Sequence, residues 1–162
     1  MTGSVVSGTG LCTPAQTISN DELVASFNEY VRRTNATHAE AIAAGSVTAL
    51  QPSSAEFIVK ASGVKNRHVI DKAGLLDPKI MCPRIPERSN GQLSVSAEMA
   101  AAAGRDALVH ARREARDIDA VIVSCANLER PYPAIAIEVQ DALGIEGFGF
   151  DMNVGCSSAA FA

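Results

Sequence analysis

Cys156 is the residue of this chain best placed to do chemistry. It lies in the stretch Phe148-Gly-Phe-Asp-Met-Asn-Val-Gly-Cys156-Ser-Ser-Ala-Ala-Phe-Ala162. The apolar run Phe148 to Val154 predicts a buried strand, Gly155 stops it, and the small residues from Ser157 onward can open a helix. A cysteine at such a strand-to-helix turn faces the unpaired N–H groups of the first helical turn and the positive end of the helix dipole. Both favour thiolate over thiol, and the thiolate is the form that attacks a carbonyl carbon. The same residues are equally compatible with a small, buried, unreactive cysteine, and spacing alone leaves both readings open.

The other residues with chemical potential are scattered. Cys12, Cys82 and Cys125 are far apart and form no C-x-x-C pair, which argues against a zinc site and against a disulfide framework and predicts reduced thiols. His38, His68 and His110 read as solvated or packed histidines. Gly8 and Gly10 resemble the start of a dinucleotide loop, but the third glycine is missing: Thr13 stands there and Pro14 follows. Fourteen Lys and Arg against eighteen Asp and Glu give a net charge of −4, which leaves no electrostatic footprint for non-specific nucleic-acid binding. No apolar run approaches twenty residues, and Met1-Thr-Gly-Ser4 lacks the basic start of a signal peptide, so a cytoplasmic protein with no membrane partner is expected.

The elements that must position Cys156 follow from pattern and caps. Ser4 to Gly10 reads as a first strand. Ser19-Asn-Asp-Glu22 is a capping box ahead of Leu23, Val24, Phe27, Tyr30 and Val31, predicting a helix of about three turns. Residues 34 to 53 are alanine-rich and weakly patterned and read as an excursion. A second capping box, Ser53-Ser-Ala-Glu56, starts a short helix that Gly63 ends. Arg67 to Ile70 resembles a strand, and Pro78, Pro83 and Pro86 make 72 to 92 a long surface loop without a regular element. From Ser94 to about Arg113 the alanine-rich chain is strongly helical. Asp119 to Cys125 is an apolar strand of the kind buried on both faces in a parallel sheet. Pro133 suits a first helical position, and Ala134 to Leu143 makes a helix closed by Gly144. Alternating strands and helices specify an α/β fold with a βαβαβ core, in which ligands meet the carboxyl ends of the strands.

In that order, Phe57-Ile-Val-Lys-Ala-Ser-Gly-Val-Lys-Asn-Arg-His68, Asp119-Ala-Val-Ile-Val123, Pro131-Tyr-Pro133, Leu143-Gly-Ile-Glu-Gly147 and Asp151-Met-Asn-Val-Gly-Cys-Ser-Ser158 resemble the amino-terminal half of β-ketoacyl-acyl-carrier-protein synthase III. The resemblance implies an α/β, thiolase-like fold: a mostly parallel mixed sheet with helices on both faces. It spans 1–162 as one half-domain, with residues 34–52 and 73–92 as insertions and the carboxyl-terminal half outside this chain. The implied enzyme is an acyltransferase of the fatty-acid-initiation type. It loads an acyl group on Cys156 and condenses it with malonyl-acyl carrier protein, with loss of carbon dioxide. Its substrates are acyl-coenzyme A or acyl-carrier-protein thioesters, it needs no cofactor or metal, and it is a homodimer.

The same resemblance assigns Cys156 as nucleophile and places its own N–H in the oxyanion hole. Phe57 corresponds to an aromatic residue on which the coenzyme A adenine stacks, Ser62 to a residue near the pantetheine arm, and Tyr132 to an aromatic residue that closes the acyl pocket of the partner subunit. Ala61 departs from a family arginine, which leaves room for a carrier-protein donor. In related head-to-head condensing enzymes a glutamate from a loop like that of Glu129 acts as base. A histidine and an asparagine that stabilise the enolate are implied outside this chain. Alternatives are a condensing enzyme of secondary metabolism, a non-decarboxylating acyl-joining enzyme, and a catalytically silent partner subunit.

Overall fold

A computed structural model describes residues 3–127, 129, 130 and 132–162. It divides into two compact units, one made of Pro14–Pro86 and the other of the chain up to Thr13 together with Glu87–Ala162.

In the Pro14–Pro86 unit, strand β1 (Gln16–Ser19) is followed by helix α1 (Asn20–Thr37), a single turn α2 (Ala39–Ala43), helix α3 (Ala55–Ser62), strand β2 (Asn66–Val69) and a second short turn α4 (Lys72–Leu76). β1 and β2 pair antiparallel, Gln16 with Val69 and Ser19 with Asn66. The expected capping box forms: the Glu22 amide donates to Ser19 Oγ at 3.2 Å, and the Ser19 amide to the Glu22 carboxylate at 3.0 Å. The Lys72 ammonium and the Ser19 hydrogen bonds hold the Glu22 carboxyl down at about 2.

Helix α1 runs to Thr37, well beyond the three turns expected, because its side chains find partners in what reads as an excursion. Asn28 accepts from the Ser53 amide at 2.8 Å and donates to the Ser53 carbonyl at 3.0 Å, and Asn35 does the same with Leu50 at 2.9 Å in each direction. With Ser53 so engaged, the cap of α3 falls on Ser54, which accepts from the Phe57 amide at 3.1 Å. Gly63 ends α3 in the left-handed region, at φ 71°, as its position predicts. The expectation of no regular element in 72–92 is corrected by α4, which Asp71 caps through the Gly74 amide at 3.0 Å. Asp71 also takes the Arg84 amide at 2.8 Å and its guanidinium at 2.9 Å, so this proline-bearing segment is stapled to the start of α4.

The second unit holds helix α5 (Val95–Ala111), a 3₁₀ turn (Ala115–Asp117), strand β3 (Ala120–Ser124), helix α6 (Ile135–Leu143), strand β4 (Phe148–Met152) and the one-turn helix α7 (Ser158–Phe161). β3 and β4 are parallel, Ala120 beside Phe148 and Ser124 beside Met152, so β3–α6–β4 is a βαβ unit. The α/β class stands, with its strands in two separate two-stranded sheets. Ala97, Ile135 and Val139 form the core, packed by Leu93, Ala100, Val121, Val123 and Leu143. Burying a side chain such as Ile135 contributes about 2–3 kcal/mol. Ala97 and Ala100 of α5 pack at Ile135 and Val139 of α6.

Two expectations fail here. β3 is not buried on both faces: Val121 and Val123 face the core, while Ile122 is 38% exposed beside Phe150 at 40% and Phe148 at 61%, because α6 covers one face of the pair. The segment Ser4 to Gly10 is not a strand. It lies along α5, held by the Leu11 amide donating to Asp106 at 3.2 Å and by His110 Nδ1 against the Thr9 carbonyl at 2.6 Å. A Cβ at Gly8 would collide with the backbone at Ala107 and Ala111, and one at Gly10 with that at Ala103 and Ala107. The glycine pair therefore serves close approach to a helix rather than a phosphate.

Candidate active site

Because β3 and β4 are parallel, the two connections leaving their carboxyl ends emerge at one edge of the sheet, the position where open α/β sheets meet ligands. The Cys125 amide donates to the Met152 carbonyl at 3.3 Å and extends the ladder to that edge. After β4 the chain enters a tight turn. The Gly155 amide donates to Asn153 Oδ1 at 3.2 Å, Gly155 takes φ 57°, and Cys156 stands exposed at the apex. The turn is held from inside by Ser158, which is 3% exposed: its hydroxyl accepts from the Val154 amide at 2.7 Å and donates to the Gly155 carbonyl at 2.9 Å. The first residue of α7 is Ser158, so Cys156 sits two positions ahead of the helix rather than at its opening, and α7 is a single turn of four residues. An exposed thiol among small residues leaves room for a thioester carbonyl to approach the sulfur.

The connection after β3 is held differently. The Glu129 carboxylate accepts from the Val95 amide at 3.0 Å and the Ser96 amide at 2.6 Å, the first two N–H groups of α5. Ser94 accepts from the third, that of Ala97, at 3.2 Å. Burial opposes ionisation of Glu129, but the Ser96 and Val95 hydrogen bonds and the nearby Arg88 charge outweigh it and hold its carboxyl below the ordinary carboxylate value. Beneath it, buried Glu138 on α6 accepts from the Ser94 amide at 3.0 Å and the Ser94 hydroxyl at 2.7 Å. Arg130 bridges Glu138, at 3.3 Å, and the Gln92 carbonyl, at 3.2 Å. On the far side of the connection, Asp151 of β4 takes the first two N–H groups of α6, those of Ile135 and Ala136, at 2.9 and 2.8 Å. Between these anchors Tyr132 projects outward, 87% exposed, and Pro133 precedes α6 rather than opening it. Pro131, next to it in the sequence motif, lies outside the described residues.

Cys156 and Tyr132 thus lie on the two connections at one sheet edge. Phe57 and Ser62 stand on α3 in the Pro14–Pro86 unit. Phe57 is 65% exposed, an open aromatic face. Ser62 caps its own helix, donating to the Ile58 carbonyl at 2.7 Å and accepting from the Val64 amide at 3.2 Å. Arg67 donates to Asn20 Oδ1 at 2.8 Å. The carboxylate anchors Asp151, Glu129 and Glu138 are the residues whose structural work local reading misses; the signals present were a charged Glu138 in an apolar helix and an Asp151 ending a strand. Among the described residues no group of three or more His, Cys, Asp or Glu side chains is gathered to hold a metal ion, and no helix is long and apolar enough to cross a membrane.

No family model matches the chain. It is 61% identical over 136 residues to a β-ketodecanoyl-[acyl-carrier-protein] synthase of Pseudomonas aeruginosa, a match that covers 84% of this chain and 39% of that protein. It is 27% identical over 160 residues to the β-ketoacyl-[acyl-carrier-protein] synthase III of Rhodospirillum centenum, covering 98% of this chain and 36% of that one. Its fold is similar to that of the 3-oxoacyl-[acyl-carrier-protein] synthase III of Aquifex aeolicus, with a TM-score of 0.63 at 20% identity, over 99% of this chain and 38% of the other. The chain therefore spans well under half the length of the proteins it matches. It is a segment similar to part of the β-ketoacyl-acyl-carrier-protein synthases, and it shares the fold of a solved synthase III.

Proposed function

We propose that this segment supplies the acyl-carrying thiol of a decarboxylating condensing enzyme. The observation that carries the reading is the place of Cys156, an exposed thiol in a turn of small residues at the carboxyl end of a parallel strand pair. In the first half-reaction the Cys156 thiolate attacks the thioester carbonyl of an acyl donor. The tetrahedral oxyanion is held by backbone N–H groups, that of Cys156 among them, and the donor thiolate leaves. In the second, malonyl-acyl carrier protein loses carbon dioxide, and the resulting enolate carbon attacks the acyl-cysteine carbonyl. A new carbon–carbon bond forms and the Cys156 thiolate is released. The histidine and asparagine that stabilise the enolate belong to the remainder of the protein.

A ten-carbon β-ketoacyl product is supported by the name of the relative at 61% identity, a β-ketodecanoyl-[acyl-carrier-protein] synthase. Two of those carbons come from the malonyl unit, so the transferred group is an eight-carbon chain. Phe57 fits a stacking surface for the adenine of coenzyme A, Ser62 lies at the end of the same helix near the pantetheine arm, and exposed Tyr132 fits a side chain that closes the pocket of a partner subunit in a homodimer. The protein acts in the cytoplasm, and its donors are acyl-coenzyme A or acyl-carrier-protein thioesters. The test is a condensation assay on the full-length protein with octanoyl-coenzyme A and malonyl-acyl carrier protein. A ten-carbon β-ketoacyl product with release of carbon dioxide is expected; acyl transfer to Cys156 without any chain extension would point to an acyl-joining or silent-partner role instead.

A further inference from the structure

The turn after β4 engages its amides unevenly. The Val154 amide donates to Ser158 Oγ at 2.7 Å, the Gly155 amide to Asn153 Oδ1 at 3.2 Å, and the Ser157 and Ser158 amides to the Val154 and Gly155 carbonyls, each at 3.2 Å. The Cys156 amide meets no acceptor among the described residues, and Cys156 is exposed. The one open donor of the turn therefore belongs to the residue that carries the thiol, and an open backbone donor is available to a ligand. Ser158 enforces this arrangement. It is 3% exposed, and its hydroxyl accepts from Val154 and donates to the Gly155 carbonyl at 2.9 Å, tying together the two residues that lead into Cys156. Its proton is committed to that carbonyl, so the hydroxyl is not placed to relay a proton to or from the sulfur. Attack on a thioester carbonyl builds negative charge on oxygen as the new carbon–sulfur bond forms, so a donor fixed beside the nucleophile acts in the transition state. We propose that Ser158 is a positioning residue for acyl transfer: by bridging Val154 and Gly155 it fixes the Cys156 amide where it can donate to the oxyanion forming at the carbon that Sγ attacks. The inference rests on the acyl-transfer reading above and goes beyond it by assigning part of the work to a buried side chain behind the turn.

The test measures two reactions of Cys156 in the full-length protein, each followed by intact mass and assigned by peptide mapping. Acylation by octanoyl-coenzyme A passes through an oxyanion; alkylation by iodoacetamide displaces iodide at a saturated carbon and forms none. In Ser158→Ala the acylation rate at saturating donor falls about tenfold, less than the full loss of an oxyanion donor because the amide is misplaced rather than removed. The donor concentration for half-maximal rate and the alkylation rate both stay within about twofold of wild type, as for an interaction made only in the transition state. Ser158→Thr, which keeps the hydroxyl, recovers most of the acylation rate. Asn153→Ala, which removes the acceptor of the Gly155 amide, shows the same split at smaller size. Asn35→Ala, which releases Leu50 in the Pro14–Pro86 unit, controls for a general loss of stability and leaves both rates unchanged. Acylation at the wild-type rate in both Ser158→Ala and Asn153→Ala would overturn the proposal. So would an equal fall in acylation and alkylation, which would make Ser158 a support for the thiol alone, or equal slowing in Asn35→Ala. Should Ser158→Ala not fold, Asn153→Ala decides by the same split. If wild-type protein were alkylated at Cys156 yet took up no acyl group, the acyl-transfer reading would fall and the positioning role with it; wild-type acylation that the variants leave unchanged would remove the positioning role alone.

Discussion

After β4 the chain turns through Gly155, Cys156 and Ser157, held by backbone bonds, the Asn153 side-chain oxygen and the Ser158 hydroxyl; after β3 it is tied down by Glu129, Arg130, Glu138 and Asp151. The first connection uses small side chains and leaves its thiol exposed. The second uses carboxylates on helix N-termini, among the stronger local anchors a protein has, because each combines charge-assisted hydrogen bonds with the helix dipole. The difference teaches a division of labour. The turn that carries the thiol is built of small side chains, while the neighbouring connection is fixed by bonds that are charged and partly buried.

Substitutions sharpen this contrast. The largest loss is expected from Glu138→Ala, which leaves the Ser94 amide and hydroxyl without acceptors inside the core and strands the Arg130 charge. About 3–4 kcal/mol of stability should go, measured by chemical denaturation of the full-length protein. Asp151→Ala uncaps the first two amides of α6 and should cost about 2 kcal/mol in the same assay. Ser158→Ala should cost only about 1 kcal/mol, yet it frees the Val154 amide and the Gly155 carbonyl that shape the Cys156 turn. It should therefore slow acylation more than its stability loss suggests. An Asp151→Ala protein that lost less stability than Ser158→Ala would break the comparison.

The smallest effect is a pH effect in the other unit. Glu22 is held down at about 2 from an ordinary 4.5 by Lys72 and the Ser19 cap. A depressed carboxyl contributes stability that is present above 4.5 and lost as pH falls toward 2. Glu22→Gln should flatten that part of the stability–pH curve, with little change at neutral pH, since the pair with Lys72 is solvent-exposed and screened.

What could be read from sequence was what is local. Gly155 and the small residues after it mark the Cys156 turn, Ser19 with Glu22 marks the start of α1, and Gly63 and Gly144 mark helix ends, each through a signal within four residues. What could not be read depends on distant partners. β1 is four residues long and is defined by pairing with β2, some fifty residues on in the chain. Glu129 reaches α5 across 34 residues and Glu138 across 44, so neither shows a capping pattern of its own. The Ser4 to Gly10 segment has a strand's residues but no neighbouring strand among the described residues, and its glycines fit it to a helix instead. The half-exposed face of Ile122, Phe148 and Phe150 likewise follows from which elements cover the pair, not from the apolar run itself.

The most direct test of the central claim is intact mass spectrometry of the full-length protein mixed with octanoyl-coenzyme A, beside a Cys156→Ala control. The expected result is a mass gain of one octanoyl group that is lost in the control and outpaces the gain from acetyl-coenzyme A. No adduct from this donor or from octanoyl-acyl carrier protein, or an adduct that persists in Cys156→Ala, would contradict the assignment of Cys156 as the acyl carrier.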